Sequence, residues 1–253
     1  MGGSKISAYF TDHEAQTNIL TVGKVSINLY EPKWNGEDEN GPDVDKTPES
    51  PDLGVNKGKD IYPLKEIPKD PTIKNTGINS SWVYLEVKVP KAEIITANKD
   101  GTRNVRKMTE LFSYHIDGNW EEITSNQIKL ANKTSKDYNT YIYAYKTPLK
   151  GSKNLVNVNS SVYDGEKTTP LFDKIIFVNA IEGQGLEEKE LSIPIRAMAI
   201  QSDNTGSYLE AYEKYINQDT ASSMKSNIEN AEFQNIEEKL EEAEEINNKD
   251  YQK

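Results

Sequence analysis

The sequence predicts a mainly β protein: an antiparallel, jelly-roll-like β-sandwich with an acidic helical extension at its C-terminal end. Three observations carry that reading. Val, Ile, Thr and 14 Tyr recur in alternating runs up to about residue 200, as they do in strands that bury one face. Turn-forming groups such as Asn98-Lys99-Asp100-Gly101 and Asp117-Gly118 separate the runs. After Asn204 the apolar spacing becomes helical and the composition turns acidic. The predicted organisation is a leader over 1–16, a sandwich over 17–202 with a long acidic loop at 32–60, and a helical tail over 203–253.

Taken in order, residues 17–31 set Val22, Val25, Ile27 and Leu29 against polar neighbours, with Gly23 marking a bend. Residues 32–59 are rich in Gly, Pro, Asp, Glu and Asn and poor in aliphatics; they read as a surface loop without a face to bury. Residues 70–77 read as a short strand closed by a turn at Asn75 to Gly77. Residues 82–94 give the clearest strand, with Val83, Leu85, Val87 and Val89 alternating against Trp82, Tyr84, Glu86 and Lys88. Pro90 inside it argues for an edge or a bulge, since proline cannot donate to a ladder.

Residues 111–116 and 119–124 read as a hairpin joined at Asp117-Gly118. Residues 138–146 alternate, with Tyr141, Tyr143 and Tyr145 on one side, and such a row is more often packing than a binding face. Thr169-Pro170-Leu171-Phe172 leads into a continuous apolar strand over 173–181. The last core strand covers 191–200, with Pro194 favouring an edge. Leu209, Tyr212 and Ile216 then fall at helical spacing, as do Ile228, Ala231, Phe233, Ile236, Leu240 and Ala243 in a Glu-rich stretch. The tail is expected to be held to the sandwich weakly or not at all.

A chain of 253 residues buries enough apolar surface to fold without staples. The absence of cysteine removes thiol chemistry, Cys-based zinc sites and disulfides, and suits an exported protein. A net charge of -11 disfavours nucleic acid and anionic bilayers as partners through long-range repulsion. No stretch reaches the roughly 18 apolar residues of a membrane span. Met1 reads as an added initiator, and the small residues from Gly2 to Ser7 as the remnant of a removed export signal.

Chemistry-bearing constellations are few. His13-Glu14 resembles the first half of a zinc-binding His-Glu-x-x-His helix, but Thr17 stands where the second histidine belongs; His115 is the only other histidine. Asp38, Asp43 and Asp45, with Glu39 and Asn40, are candidate calcium ligands. Gly41-Pro42 breaks EF-hand spacing, so a solvated acidic loop is the favoured reading. Gly183-Gln184-Gly185 lacks the Lys and helix of a phosphate cradle and reads as a turn. No Gly-x-Ser-x-Gly elbow occurs. No catalytic residue and no cofactor is assigned.

The run from Gly2 to Asp12, followed by Thr21-Val22-Gly23-Lys24-Val25-Ser26-Ile27-Asn28-Leu29, resembles the mature start of the TasA and camelysin family. So do Lys69-Asp70-Pro71-Thr72-Ile73-Lys74-Asn75-Thr76-Gly77, Thr168-Thr169-Pro170-Leu171-Phe172-Asp173 and Ile195-Arg196-Ala197-Met198-Ala199-Ile200-Gln201. The acidic loop and the acidic tail are departures. The resemblance implies export through a dedicated signal peptidase, a jelly-roll sandwich, and polymerisation into biofilm-matrix fibres at a bacterial surface.

It also implies donor-strand exchange, with Ala8, Tyr9, Phe10, Thr11, Asp12, His13, Glu14 and Ala15 as the inserting strand. The residues suit that role: Tyr9 and Phe10 are apolar in a polar leader and would each gain about 1.5–3 kcal/mol on burial. The competing arrangement has the same residues folding back onto their own sheet. The expected partner is a second copy of the chain, with an anchoring or nucleating minor subunit as a further candidate. Two rival functions follow from the same residues: a camelysin-like surface metallopeptidase, for which the zinc motif is incomplete, and a surface adhesin that uses the acidic loop or tail.

Overall fold

The computed structural model describes residues 25–38, 40–42, 49–129, 133–152, 164–187 and 189–218. Within them run thirteen strands: β1 (Ile27–Tyr30), β2 (Glu37–Asp38), β3 (Gly41–Pro42), β4 (Glu66–Pro68), β5 (Thr72–Asn75), β6 (Ser81–Ile94), β7 (Lys107–Glu110), β8 (Phe112–Ser113), β9 (Trp120–Ile123), β10 (Lys133–Thr134), β11 (Tyr138–Tyr145), β12 (Lys174–Phe177) and β13 (Ile195–Gln201). Every ladder among them is antiparallel. The chain is mainly β, as its alternation predicts. It divides into two compact units, 1–211 and 212–253.

The largest sheet has the order β10-β11-β6-β13, with β9 also pairing β11 and β7 also pairing β6. A second sheet has the order β4-β12-β8, a third is the pair β1-β5, and β2-β3 form a short ribbon. β6 organises the core. Val83, Leu85, Val87 and Val89 are buried along one face and belong to one cluster with Ile73, Ile67, Leu171, Ile175 and Phe177. Aromatic rings fill the volume between them: Phe112 lies 5.5 Å from Phe177, and Tyr114 lies 4.5 Å from Phe172. The row on β11 is packing, with Tyr143 buried and Tyr141 and Tyr145 half-buried against the core.

Pro90 is not on an edge strand. The bonds Lys88 N–H to Pro194 C=O (3.0 Å) and Leu111 N–H to Pro90 C=O (2.8 Å) point to the same side of β6. On that side β13 pairs with Ser81 to Val87 and β7 with Lys91 to Ile94. Pro90 thus occupies the handover between two partners, where a missing donor breaks no ladder. β13 ends the sheet path among the described residues, but Pro194 turns toward β6 and is tolerated because it stands just before the first residue of the strand.

The predicted hairpin over 111–124 does not form. β8 pairs with β12 and β9 with β11, so the two strands enter different sheets. Asp117 explains the divergence. Its carboxylate accepts the Asn119 N–H (3.0 Å) and the Thr169 hydroxyl (2.7 Å), which builds a side-chain-capped turn in place of a two-residue hairpin loop. These bonds also hold its pKa below the usual carboxylate range, led by that of Thr169.

Segment 32–59 is not a bare surface loop. It carries helical turns at Pro32–Asn35 and Gly54–Lys57, and it buries Leu53 at 1% exposure. A Cβ on Gly54 would lie 2.0 Å from the Pro68 carbonyl oxygen, so only glycine allows this approach to β4. Asn75 replaces the positive φ expected of its turn with side-chain bonds. Its amide donates to the Asn79 and Leu149 carbonyls (2.8 and 3.0 Å) and its oxygen accepts the Gly77 N–H (2.9 Å).

The second face of β6 is also covered at its start. Trp82 Nε1 donates to Thr205 Oγ1 (2.9 Å), the Tyr84 hydroxyl donates to the Tyr208 carbonyl (2.7 Å), and Tyr208 meets the Trp82 ring edge-on at 6.2 Å. Residues beyond 202 are therefore integral to the first unit as far as Ala211, contrary to the weakly held tail the sequence suggests. A helix covers 208–218. Its buried positions are Ala211, Tyr212 and Tyr215 rather than a stripe of Leu209, Tyr212 and Ile216, and the rings of Tyr212 and Tyr215 stack at 6.2 Å. The acidic helix predicted over 222–248 lies outside the described residues.

Candidate assembly site

Two features around β1 and β13 bear on assembly. The first is a seam. In β13 the bonds Lys88 N–H to Pro194 C=O and Ser202 N–H to Ser80 C=O (2.9 Å) fix which residues face β6. With the register Arg196 opposite Glu86 and Met198 opposite Tyr84, the even-numbered residues bond inward. Ile195, Ala197, Ala199 and Gln201 consequently direct their main-chain groups away from β6.

Among the described residues no strand is laddered to that outer side. β1 lies in contact with β13, yet its ladder is with β5, through Ile27 opposite Asn75 and Leu29 opposite Ile73. Among the described residues no ladder joins these two adjacent strands. Their side chains are apolar: Ile195 and Ala199 are buried, as are Val25 and Ile27. An unpaired row of main-chain groups is a template for another strand.

The second feature is a clamp at the end of β1. Glu31, the next residue, is buried and accepts from Lys69 Nζ at 2.8 Å. Lys69 Nζ also lies 4.6 Å from the centre of the Trp34 ring, a cation–π contact inside a desolvated site. Glu31 Oε1 has no hydrogen-bond partner. Burial pushes the Glu31 pKa up, against the pull of the Lys69 charge.

Asp70 stands beside this pair and accepts the Lys33 N–H at 2.7 Å. Burial raises its pKa to about 7, opposed by that bond and reinforced by the charge of Glu31. Lys33 Nζ in turn pairs with Asp173 at 2.5 Å on the surface. The clamp ties the residue after β1 to the residue after β4.

The donor-strand residues Ala8, Tyr9, Phe10, Thr11, Asp12, His13, Glu14 and Ala15 lie outside the described residues, as do the calcium candidates Asp43 and Asp45. Asp38 lies in β2 and its carboxylate accepts the Asn40 N–H at 2.7 Å. Among the described residues no group of three or more His, Cys, Asp or Glu could hold a metal ion. His115 is exposed in the segment between β8 and β9. Gly183 and Gly185 adopt φ of 76° and 75°, as their turn requires, and Gln184 between them bonds both the N–H and the C=O of Ile95 (2.5 and 2.8 Å).

The clamp was not legible as a site. Glu31 and Lys69 are 38 residues apart, and no periodicity announces such a pairing; the only signal is the Lys69-Asp70-Pro71 tripeptide, which belongs to the resemblance. No helix among the described residues is long and apolar enough to cross a membrane. Nothing among protein-family models, curated proteins or solved structures matches the chain.

Proposed function

We propose that this chain is a structural subunit of an extracellular fibre at a bacterial surface, and that it polymerises by donating residues 8–15 to a neighbouring copy. A jelly-roll order of the sheets belongs to the same proposal. The observation that carries it is the β13 seam, whose outward main-chain groups at Ile195, Ala197, Ala199 and Gln201 have no ladder among the described residues. An entering strand would satisfy these groups at about 0.5–1.5 kcal/mol per bond. Tyr9 and Phe10 would add apolar burial, and the sum offsets the entropy of ordering a short segment.

Further support comes from the clamp, which would hold the chain at Glu31 while residues 8–15 pass to another copy, and from the motif resemblance set out above. Fibre subunits need no active site, so the reading assigns no catalytic residue. The test is deletion of residues up to Ala15, followed by electron microscopy of the concentrated protein. Loss of filaments with an unchanged fold supports the proposal; filaments of unchanged form and abundance remove residues 8–15 from it.

A further inference from the structure

The net charge of -11 is not spread evenly. Residues 99–108 (KDGTRNVRKM) connect β6 to β7 and carry Lys99, Arg103, Arg106 and Lys107 against the single carboxylate of Asp100, a local net charge of +3. All four cations are exposed. Among the described residues none of them lies within ion-pair distance of a carboxylate. Val105, 85% exposed, sits among them and Met108, 51% exposed, follows the last; both are exposed large apolar side chains.

The loop that presents them is firmly built. Asn98 N–H donates to Thr102 C=O (2.8 Å), Asn104 N–H donates to Thr96 C=O (2.8 Å), and the Asn104 amide bonds Thr96 Oγ1 and Asn98 Oδ1 (2.9 and 3.1 Å). Arg106 Nη1 holds the Glu93 carbonyl (2.9 Å). Little ordering entropy remains to be lost when something docks there.

The complementary charge is in the same sequence. Residues 229–245 hold eight Glu and one Lys, a net charge of -7, with Ile236 and Leu240 four residues apart. We propose that the basic tip at 99–108 of one copy binds the acidic segment 229–245 of a second copy. Cations meet carboxylates, while Val105 and Met108 lose water against Ile236 and Leu240. An anionic polymer would match the charge but leave the two apolar side chains exposed, which favours the acidic and partly apolar segment. The contact joins different patches, so it gives a closed ring where the rotation closes and an open chain where it does not. It is independent of the donor-strand reading.

The test mixes full-length chains grown in light and heavy nitrogen, activates carboxylates with a carbodiimide, and reads cross-linked peptides by mass spectrometry. The proposal predicts mixed-isotope links from Lys99 or Lys107 to Glu within 229–245, lost in about 0.5 M salt because such contacts are screened. Reversal of the tip (Arg103→Glu, Arg106→Glu, Lys107→Glu) lowers the yield from Lys99 at least about tenfold, as removal of several charge pairs should. Reversal of the partner segment (Glu237→Lys, Glu238→Lys, Glu241→Lys, Glu242→Lys) in the second chain restores tip-to-segment links.

Val105→Asn, which changes no charge at the tip, also lowers the yield; an unchanged yield would assign the tip to a purely anionic ligand and overturn the proposal. Links confined to single-isotope chains, or a yield untouched by tip reversal, would overturn it as well. Deletion up to Ala15 separates the two readings: mixed links that persist without filaments keep this contact and owe nothing to the donor strand.

Discussion

Lys69 Nζ lies 2.8 Å from Glu31 Oε2, and both side chains are almost wholly removed from water. The pair ties the residue after β1 to the residue after β4, 38 positions away. Such a pair adds little net stability over an apolar replacement, because desolvation cancels most of the attraction, yet breaking it is costly. Lys69→Met should therefore destabilise the protein by about 3–5 kcal/mol through the stranded Glu31 charge. The double variant Glu31→Leu, Lys69→Met should recover most of that loss, and denaturant midpoints of the two variants check the difference.

Asp70 gives stability a pH dependence of definite sign. Its folded pKa of about 7 lies above the ordinary 3.8, so between these values the folded state holds a proton that the unfolded state has released. The contribution is fully present below the ordinary pKa, shrinks as pH rises, and is gone above about 7. Buried Glu31 shifts in the same direction. Melting temperature should fall between pH 5 and pH 8, and Asp70→Asn, which keeps an oxygen for the Lys33 N–H, should flatten that fall.

Two glycines discriminate close approach from open space. A Cβ on Gly165 would lie 1.7 Å from the Asn75 carbonyl oxygen, whereas one on Gly118 would meet nothing within 4 Å. Gly165→Ala should cost at least about 1–3 kcal/mol by forcing backbone apart. Gly118→Ala should stay within about 0.5 kcal/mol of the parent. Urea titration of both variants reads the contrast.

Asn75 holds its turn with three side-chain bonds in a site without solvent. Asn75→Ala removes three side-chain hydrogen bonds, while the Ser81 N–H still serves the Leu149 carbonyl and the Ser26 carbonyl still accepts the Gly77 N–H, so it should cost about 1–2 kcal/mol. Calorimetric unfolding measures it.

How far the sequence carries is clear at particular residues. The alternation of Val83, Leu85, Val87 and Val89 is a local signal of burial, and it locates the central strand. Pairing is not local: nothing near Pro90 announces that β13 hands over to β7 there, and nothing near Asp117 announces that β8 and β9 go to different sheets. Composition averages over segment 32–59 and hides the few residues that attach it, among them Lys33, Trp34, Leu53 and Gly54. Whole-chain charge likewise hides the basic tip at 99–108.

The tail offers a truncation test. Ending the chain at Ser202 removes the partners of Trp82 and Tyr84, and should shift tryptophan fluorescence to the red and lower the melting temperature. Ending it at Gln218 should leave both unchanged.

Assembly is tested most directly at the β13 amides. Hydrogen exchange resolved by residue, in dispersed protein and in filaments, distinguishes the two sides of this strand. The proposed insertion predicts that Arg196, Met198 and Ile200 are protected in both states, while Ile195, Ala197, Ala199 and Gln201 gain protection only in filaments. Odd-numbered amides that exchange equally fast in dispersed protein and in filaments would contradict it.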